Sequence, residues 1–139
     1  MPTPTVRLLS PRNDAHLVPY LAAIHAVCIH HDAMVATFLP PLDNDKLLAY
    51  WRERMAEVSA GTRLIVIQLD ESEPGFAAKG PELKGVVMLS MPRIETFAHR
   101  GHLEMPMVSP AFRRRGAARA MIRFIEAEAV TRGRTLIVR

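Results

Sequence analysis

Three consecutive arginines, Arg113, Arg114 and Arg115, stand where a helix begins, and no other feature constrains the chain as much. An apolar, strand-like run at 103–108 leads into them, and the helical spacing of Met121, Ile122, Ile125 and Ala129 leads out. A helix N-terminus carries partial positive charge, so each cation placed there costs roughly 0.3–1 kcal/mol. An anion at that point reverses the balance, because the unpaired N–H groups of the first turn and the flanking arginines converge on it. Gly116 lets the backbone come close to such an anion, and the small Ala117 and Ala118 keep the approach clear. The pattern therefore predicts a strand–loop–helix that binds phosphate. The alternative, a basic surface turn before an ordinary helix, leaves the charges without a counterpart.

The rest of the composition agrees with an anionic small ligand. With 139 residues the chain is expected to form one domain, 1–139, with a core of its own. Its 49% hydrophobic content excludes a disordered chain, and its net charge of +4 suits an anion. Nucleic acid is another anion, but aromatic residues make up only 6% of the chain and Phe112 is the one ring inside the arginine cluster. Base stacking therefore has little to work with, and no nucleic-acid partner is expected. The single cysteine, Cys28, excludes an intrachain disulfide and fits a reducing compartment. The chain start shows no basic segment followed by an apolar one, so a cytoplasmic location is expected. The most apolar stretch, 17–29, contains Pro19 and His25 and is too short to span a bilayer, so no membrane association is expected.

Periodicity predicts the elements. A short strand falls at 6–9, followed by N-cap chemistry at 10–14. Leu17, Leu21, Ile24, Val27 and Cys28 recur at helical spacing, with Pro19 in the first turn and His30-His31-Asp32 closing the helix. Asp43-Asn44-Asp45 caps a second helix with Leu47, Leu48, Trp51, Met55 and Val58 on one face, and Gly61 ends it. Strands follow at 63–69, 84–91 and 102–108, separated by an exposed hairpin loop at 70–83 and a loop at 92–101. The third helix runs to Thr131, Arg132-Gly133 stops it, and a last strand starts at Thr135. The order β-α-α-β-β-β-α-β makes this an α/β (α+β) chain, without repeats or low-complexity tracts.

Polar residues in and near these elements supply the candidate chemistry. Alternation along the strand at 102–108 places His102 and Glu104 on one face, opposite Leu103 and Met105. Either could act as a general base. Pro106 interrupts the same strand; it marks a bulge there or makes the strand an edge. His30, His31 and Asp32 carry metal-ligating groups, but adjacent helical residues point apart and no third ligand is suitably spaced, so no metal is expected. Cys28 lies on an apolar helix face and reads as a core thiol rather than a nucleophile. The eight methionines read as gap-filling residues.

Arg113, Gly116 and Ala118 form the pattern Arg-x-x-Gly-x-Ala, preceded by Val108-Ser109-Pro110. Between an apolar strand and a helix, this resembles the coenzyme A pyrophosphate loop of the GNAT superfamily of N-acetyltransferases. The element order resembles that fold over nearly the whole chain. More narrowly, His31-Asp32-Ala33, Ala49-Tyr50-Trp51 and Ala60-Gly61 resemble the tabtoxin-resistance type, which acetylates amino groups of small molecules, including amino-acid-like toxins and antibiotics. The resemblance implies a GNAT fold, a mixed central sheet flanked by helices, with acetyl-coenzyme A as co-substrate. It implies that Arg113, Arg114, Arg115, Gly116, Ala117 and Ala118 hold the pyrophosphate. Met107 and Val108 would offer backbone groups to pantetheine in a gap opened at Pro106. Glu104 or His102 would serve as the base, and His31 and Asp32 would border the pocket of a small-molecule amine acceptor. Relatives continue past the fifth strand and often carry a tyrosine that protonates the leaving thiolate, a position neither Tyr20 nor Tyr50 matches. On that comparison the fold is expected to be truncated after the fifth strand, poorly catalytic and prone to self-association through an unpaired edge. Three readings follow: an acetyl-coenzyme-A-dependent N-acetyltransferase, a coenzyme-A-binding remnant without turnover, and a nucleic-acid binder.

Overall fold

The computed structural model describes residues 3–32, 43–71, 78–93 and 99–138. Runs of aliphatic and β-branched residues build the middle of a sheet that is buried on both faces. The strands are β1 (Thr3–Leu8), β2 (Arg63–Glu71), β3 (Leu83–Ser90), β4 (Arg100–Val108) and β5 (Leu136–Val138). They lie in the order β1-β2-β3-β4-β5. The first four run antiparallel to their neighbours, with Leu8 opposite Val66, Ile67 opposite Val86 and Leu89 opposite Leu103. β5 returns parallel to β4. A parallel return requires a crossover, and the helix after β4 supplies it.

The helices are α1 (Val18–Asp32), α2 (Asn44–Ser59) and α3 (Ala117–Thr131). α1 and α2 pack on one sheet face around Leu21, Trp51, Ile65 and Met88; α3 packs on the other through Met121, Ile125 and Ala129 against Val66 and Val87. The Asp43 carboxylate caps α2 by accepting the Asp45 N–H at 2.9 Å. Left-handed Gly61 closes it, as the Gly61 and Thr62 N–H groups return to the Val58 and Glu57 carbonyls at 3.1 and 3.0 Å.

Several details differ from the sequence reading. β1 begins at Thr3 and includes Pro4, which an edge strand tolerates because one side of its ladder needs no N–H. The segment at 78–82 is partly packed, with Ala78 and Gly80 buried and Lys79 and Pro81 exposed. Ala78 is buried, its carbonyl accepts from His16 Nε2 at 2.5 Å, and a short 3-10 helix (Gly80–Glu82) follows. The middle of that loop, 72–77, and the centre of the next, 94–98, lie outside the described residues. On α1 the buried stripe runs through Leu21, Ile24, His25 and Cys28, while Val27 is 46% exposed. At about 100° per residue, the buried positions 18, 21, 22, 24, 28 and 29 share one arc with position 25 near its middle, while position 27 falls well outside it.

His25 is thus a polar group in the core. It survives there because the Trp51 Nε1–H donates to its Nδ1 at 3.2 Å, which requires the neutral ring. Burial pushes its pKa down to about 4. An unfolded imidazole takes a proton near pH 6.5, so between there and about pH 4 the unfolded chain binds more protons than the folded one. Stability contributed by the neutral ring is therefore present above pH 6.5 and is lost as the pH falls through that window. Urea unfolding at pH 8 and pH 5 should differ by about 2 kcal/mol more in the parent than in His25→Gln, whose carbonyl still accepts the indole N–H. Parallel pH curves for the two proteins would contradict this reading of the core.

The start of α1 is fixed to the end of β1 by a buried carboxylate. Burial alone would raise the Asp14 pKa, but the Arg7 fork, at 2.7 and 2.9 Å, and the Ser10 N–H, at 2.8 Å, together hold it below the usual carboxylate range.

Candidate functional site

The site begins with a defect in β4. Met107 lies opposite Val86 and Glu104 opposite Met88, so Val87 alone faces the pair Met105–Pro106. Two residues against one is a β-bulge, and Pro106, with no N–H to offer the ladder, occupies it. The bulge reverses the alternation. Glu104 faces the α1–α2 side, and so does Met107, which is buried in that core. β5 pairs with β4 only at 100–102, so beyond His102 the outer edge of β4 has no strand beside it among the described residues.

The connection to α3 turns sharply. The Ser109 N–H bonds the Lys84 carbonyl at 2.7 Å, and Pro110–Phe112 forms a 3-10 turn with the Phe112 ring buried. Arg114 and Gly116 both take left-handed backbone angles, φ 65° and 75°. Gly116 is the N-cap of α3, and the first helical bond runs from the Ala120 N–H to the Gly116 carbonyl at 3.0 Å. The N–H groups of Ala117, Ala118 and Arg119 therefore have no acceptor within the helix. Left-handed residues ahead of a helix turn successive N–H groups toward one concavity, which suits an anion. A Cβ on Gly116 would meet nothing within 4 Å, so the concavity is open above it.

A cleft of about 300 Å³ occupies this corner. Pro106, Met107 and Val108 form one wall; Arg113, Arg114, Gly116, Ala117, Ala118 and Arg119 form the other. Seven of the eight residues expected to bind a cofactor thus come together. The eighth, Arg115, is turned aside. Its guanidinium lies 4.8 Å from the centroid of the Phe112 ring, beside a neighbouring cavity of about 250 Å³ that Val6 and Gln68 also line. Arg113 also departs from the expectation of a freely presented cation. Its Nε donates to the Val108 carbonyl at 3.2 Å and its Nη2 approaches the Cys28 sulfur at 3.8 Å, while the Cys28 thiol contacts the same carbonyl at 3.7 Å. Buried Cys28 is thus a core thiol that also braces the cleft wall. Arg119 is the cleft residue that the loop pattern missed; its place in the first turn, three residues after Gly116, was the available signal.

A larger cavity, about 450 Å³, lies at the other end of α3, lined by Leu8, Leu9, Leu64, Met91, Arg132 and Arg134 among others. It is a poorer anion site for two reasons. It meets the negative end of the α3 dipole. Its arginines are also engaged, Arg132 with Glu128 at 2.5 Å and Arg134 with the Pro92 and Arg100 carbonyls at 2.8 and 3.3 Å.

Of the proposed bases, Glu104 is half-buried and its Oε2 accepts from Arg63 Nη1 at 2.8 Å. His102 is exposed, opposite Ser90 on one side and Val138 on the other. Neither lines the cleft itself. Arg63, 6% exposed in its side chain, was missed by sequence reasoning; a lone arginine directly before the aliphatic run Leu64–Ile67 was the signal. His31 and Asp32 end α1, and the segment after them, 33–42, lies outside the described residues. Among the described residues no cluster of histidine, cysteine and acidic side chains could hold a metal ion. No described helix is long and apolar enough to cross a membrane.

Residues 36–138 match the model of the acetyltransferase (GNAT) family. Solved structures share the architecture at low sequence identity. A predicted acetyltransferase of Clostridium acetobutylicum with acetyl-CoA aligns with a TM-score of 0.63 at 15% identity, over 97% of this chain and 79% of its own. Ribosomal-protein-alanine N-acetyltransferase of Brucella melitensis aligns with a TM-score of 0.64 at 18% identity, over 98% and 78%. Glucosamine-6-phosphate N-acetyltransferase of Arabidopsis thaliana aligns with a TM-score of 0.60 at 12% identity, over 98% and 80%. A search of curated proteins finds no match.

Proposed function

The chain belongs to the acetyltransferase (GNAT) family, and from that premise we propose that it acetylates a primary amine of a small molecule from acetyl-coenzyme A in a ternary complex. The observation that carries this reading is the cleft where β4, bulged at Pro106, meets the open N-terminus of α3. Acetyl-coenzyme A supplies the acetyl group as a thioester. The N–H groups of Ala117, Ala118 and Arg119, together with Arg114, hold its pyrophosphate, and the edge at Met107 and Val108 receives the pantetheine arm. Gly116 leaves room for that approach. Arg113 serves as a strut for the wall rather than as a phosphate ligand.

An alkyl ammonium cannot attack a carbonyl until it loses a proton. Glu104, with His102 as the alternative, accepts that proton directly or through water, and the freed lone pair then forms the amide bond as the thiolate leaves. The amine enters from the α1–α2 side of β4, bordered by the end of α1 with His31 and Asp32. Amino-acid-like toxins and antibiotics are the acceptor class favoured by the narrower sequence resemblance. The two named relatives above act on a ribosomal-protein alanine and on glucosamine-6-phosphate, so the fold by itself does not fix the acceptor. A reducing, cytoplasmic setting accords with a single, buried cysteine.

One observation favours a second reading, coenzyme A binding with little or no turnover: the proposed base is already held by Arg63. Thiol release from acetyl-coenzyme A, screened against polyamines, amino acids and aminoglycosides, separates the two. Amine-dependent release supports the enzyme. Coenzyme A binding without release for any amine supports the second reading.

A further inference from the structure

Arg63 opens β2, yet its guanidinium reaches across β3 to β4. Its own ladder partner on β3 is Ser90, while the side chain leans over Met88, approaching the sulfur at 3.8 Å, to reach Glu104 at 2.8 Å. Two strand spacings, about 9–10 Å, are bridged by one side chain. Nε of the same guanidinium lies 3.4 Å from Glu57 Oε2 on α2. Glu57 in turn holds Arg54 through Oε1 at 2.5 Å, and Arg54 lies 4.7 Å over the Tyr50 ring. The result is a chain of alternating charge, Arg54–Glu57–Arg63–Glu104, running from α2 beneath the sheet face to the strand that borders the cleft. Tyr50 of α2 also stands close enough to feel the Glu104 charge, and His25 of α1 packs against Tyr50.

A guanidinium this buried requires carboxylate partners, and removing a partner leaves an uncompensated charge. Core stability alone would be served by Glu57, which sits next to Arg63 at the end of α2. The shorter of the two carboxylate contacts is nevertheless the one across β3, at 2.8 Å against 3.4 Å, and it fixes the Glu104 carboxylate on the α1–α2 face, one residue before the bulge. We infer that Arg63 is a positioning residue for Glu104, and that Glu57 sets how much of the guanidinium's charge Glu104 receives. The inference rests on Glu104 being the base of the proposed reaction.

The test measures kcat and KM for amine-dependent thiol release by the full chain, with the melting temperature read on the same preparation. Arg63→Met should lower kcat by about tenfold or more while KM for acetyl-coenzyme A stays within about twofold, and Arg63→Lys should recover part of that loss. Glu57→Gln leaves Arg63 wholly to Glu104 and should lower kcat by about a few-fold at most. Rescue by lysine with KM unmoved is the signature, because a purely structural role would lower the melting temperature without splitting kcat from KM. Arg63→Lys keeps a buried cation, so it decides the matter alone if Arg63→Met fails to fold. An unchanged kcat in the folded Arg63 variants overturns the inference while leaving the base assignment intact. Full turnover by Glu104→Gln overturns the base assignment and, with it, the catalytic meaning of Arg63.

Discussion

Ala118→Glu is expected to lower coenzyme A affinity by about 30–150-fold while leaving the melting temperature unchanged or slightly raised. Ala118 is exposed, lines the cleft and is the second residue of α3. A carboxylate there is favourable for the helix itself, by roughly 0.3–1 kcal/mol, because it complements the dipole. The same carboxylate faces the pyrophosphate, and like charges set against each other in a site cost on the order of 2–3 kcal/mol. Binding and stability therefore move in opposite directions, which no general damage to the fold can reproduce. Isothermal calorimetry and thermal melts on the same preparation check it. Unchanged affinity would move the site elsewhere. The bulky Gly116→Trp should also abolish binding, but at φ 75° any side chain is strained, so its loss of binding is accompanied by a loss of stability.

Glu104→Gln should lower the turnover rate by about 10²–10⁴-fold with little change in acetyl-coenzyme A affinity. The substitution is chosen because a glutamine carbonyl still accepts from Arg63 at the position of Oε2, so the strand and its partner stay in place. What is lost is the capacity to take a proton. The acid side of the pH–rate profile should vanish with it. Stopped-flow thiol release with the best amine from the screen measures both. A profile identical to the parent's transfers the proton to His102 or to water.

Much of this site could be read in the sequence, for identifiable reasons. Arg113 to Ala118 announced the turn and the cleft before α3 because local charge, a glycine and a strand–helix junction all lie within one short stretch. Pro106 announced the bulge because proline has one mechanical consequence in a ladder. Asp43, Gly61 and Gly133 gave the helix ends because capping is local chemistry. Two of the missed features depend on contacts between distant parts of the chain. Arg63 meets Glu104 only after β3 is placed between them, and the inward turn of Arg113 depends on Cys28, 85 residues away. Arg115, expected at the pyrophosphate, instead lies over the Phe112 ring beside the neighbouring cavity. The burial of His25 in place of Val27 was a matter of phase on α1, where nearly every position is apolar and periodicity gives a weak signal.

The central claim is that the corner between β4 and α3 is where acetyl-coenzyme A binds. Amide chemical-shift mapping in the full chain, with coenzyme A as the titrant, addresses it without needing an acceptor. The account predicts that the perturbed amides cluster at Met107 and Val108 and at 114–119, with the largest shifts at Ala117, Ala118 and Arg119. Perturbations centred instead on Leu8, Leu9, Leu64 and Arg134, in the larger cavity at the opposite end of α3, would contradict it.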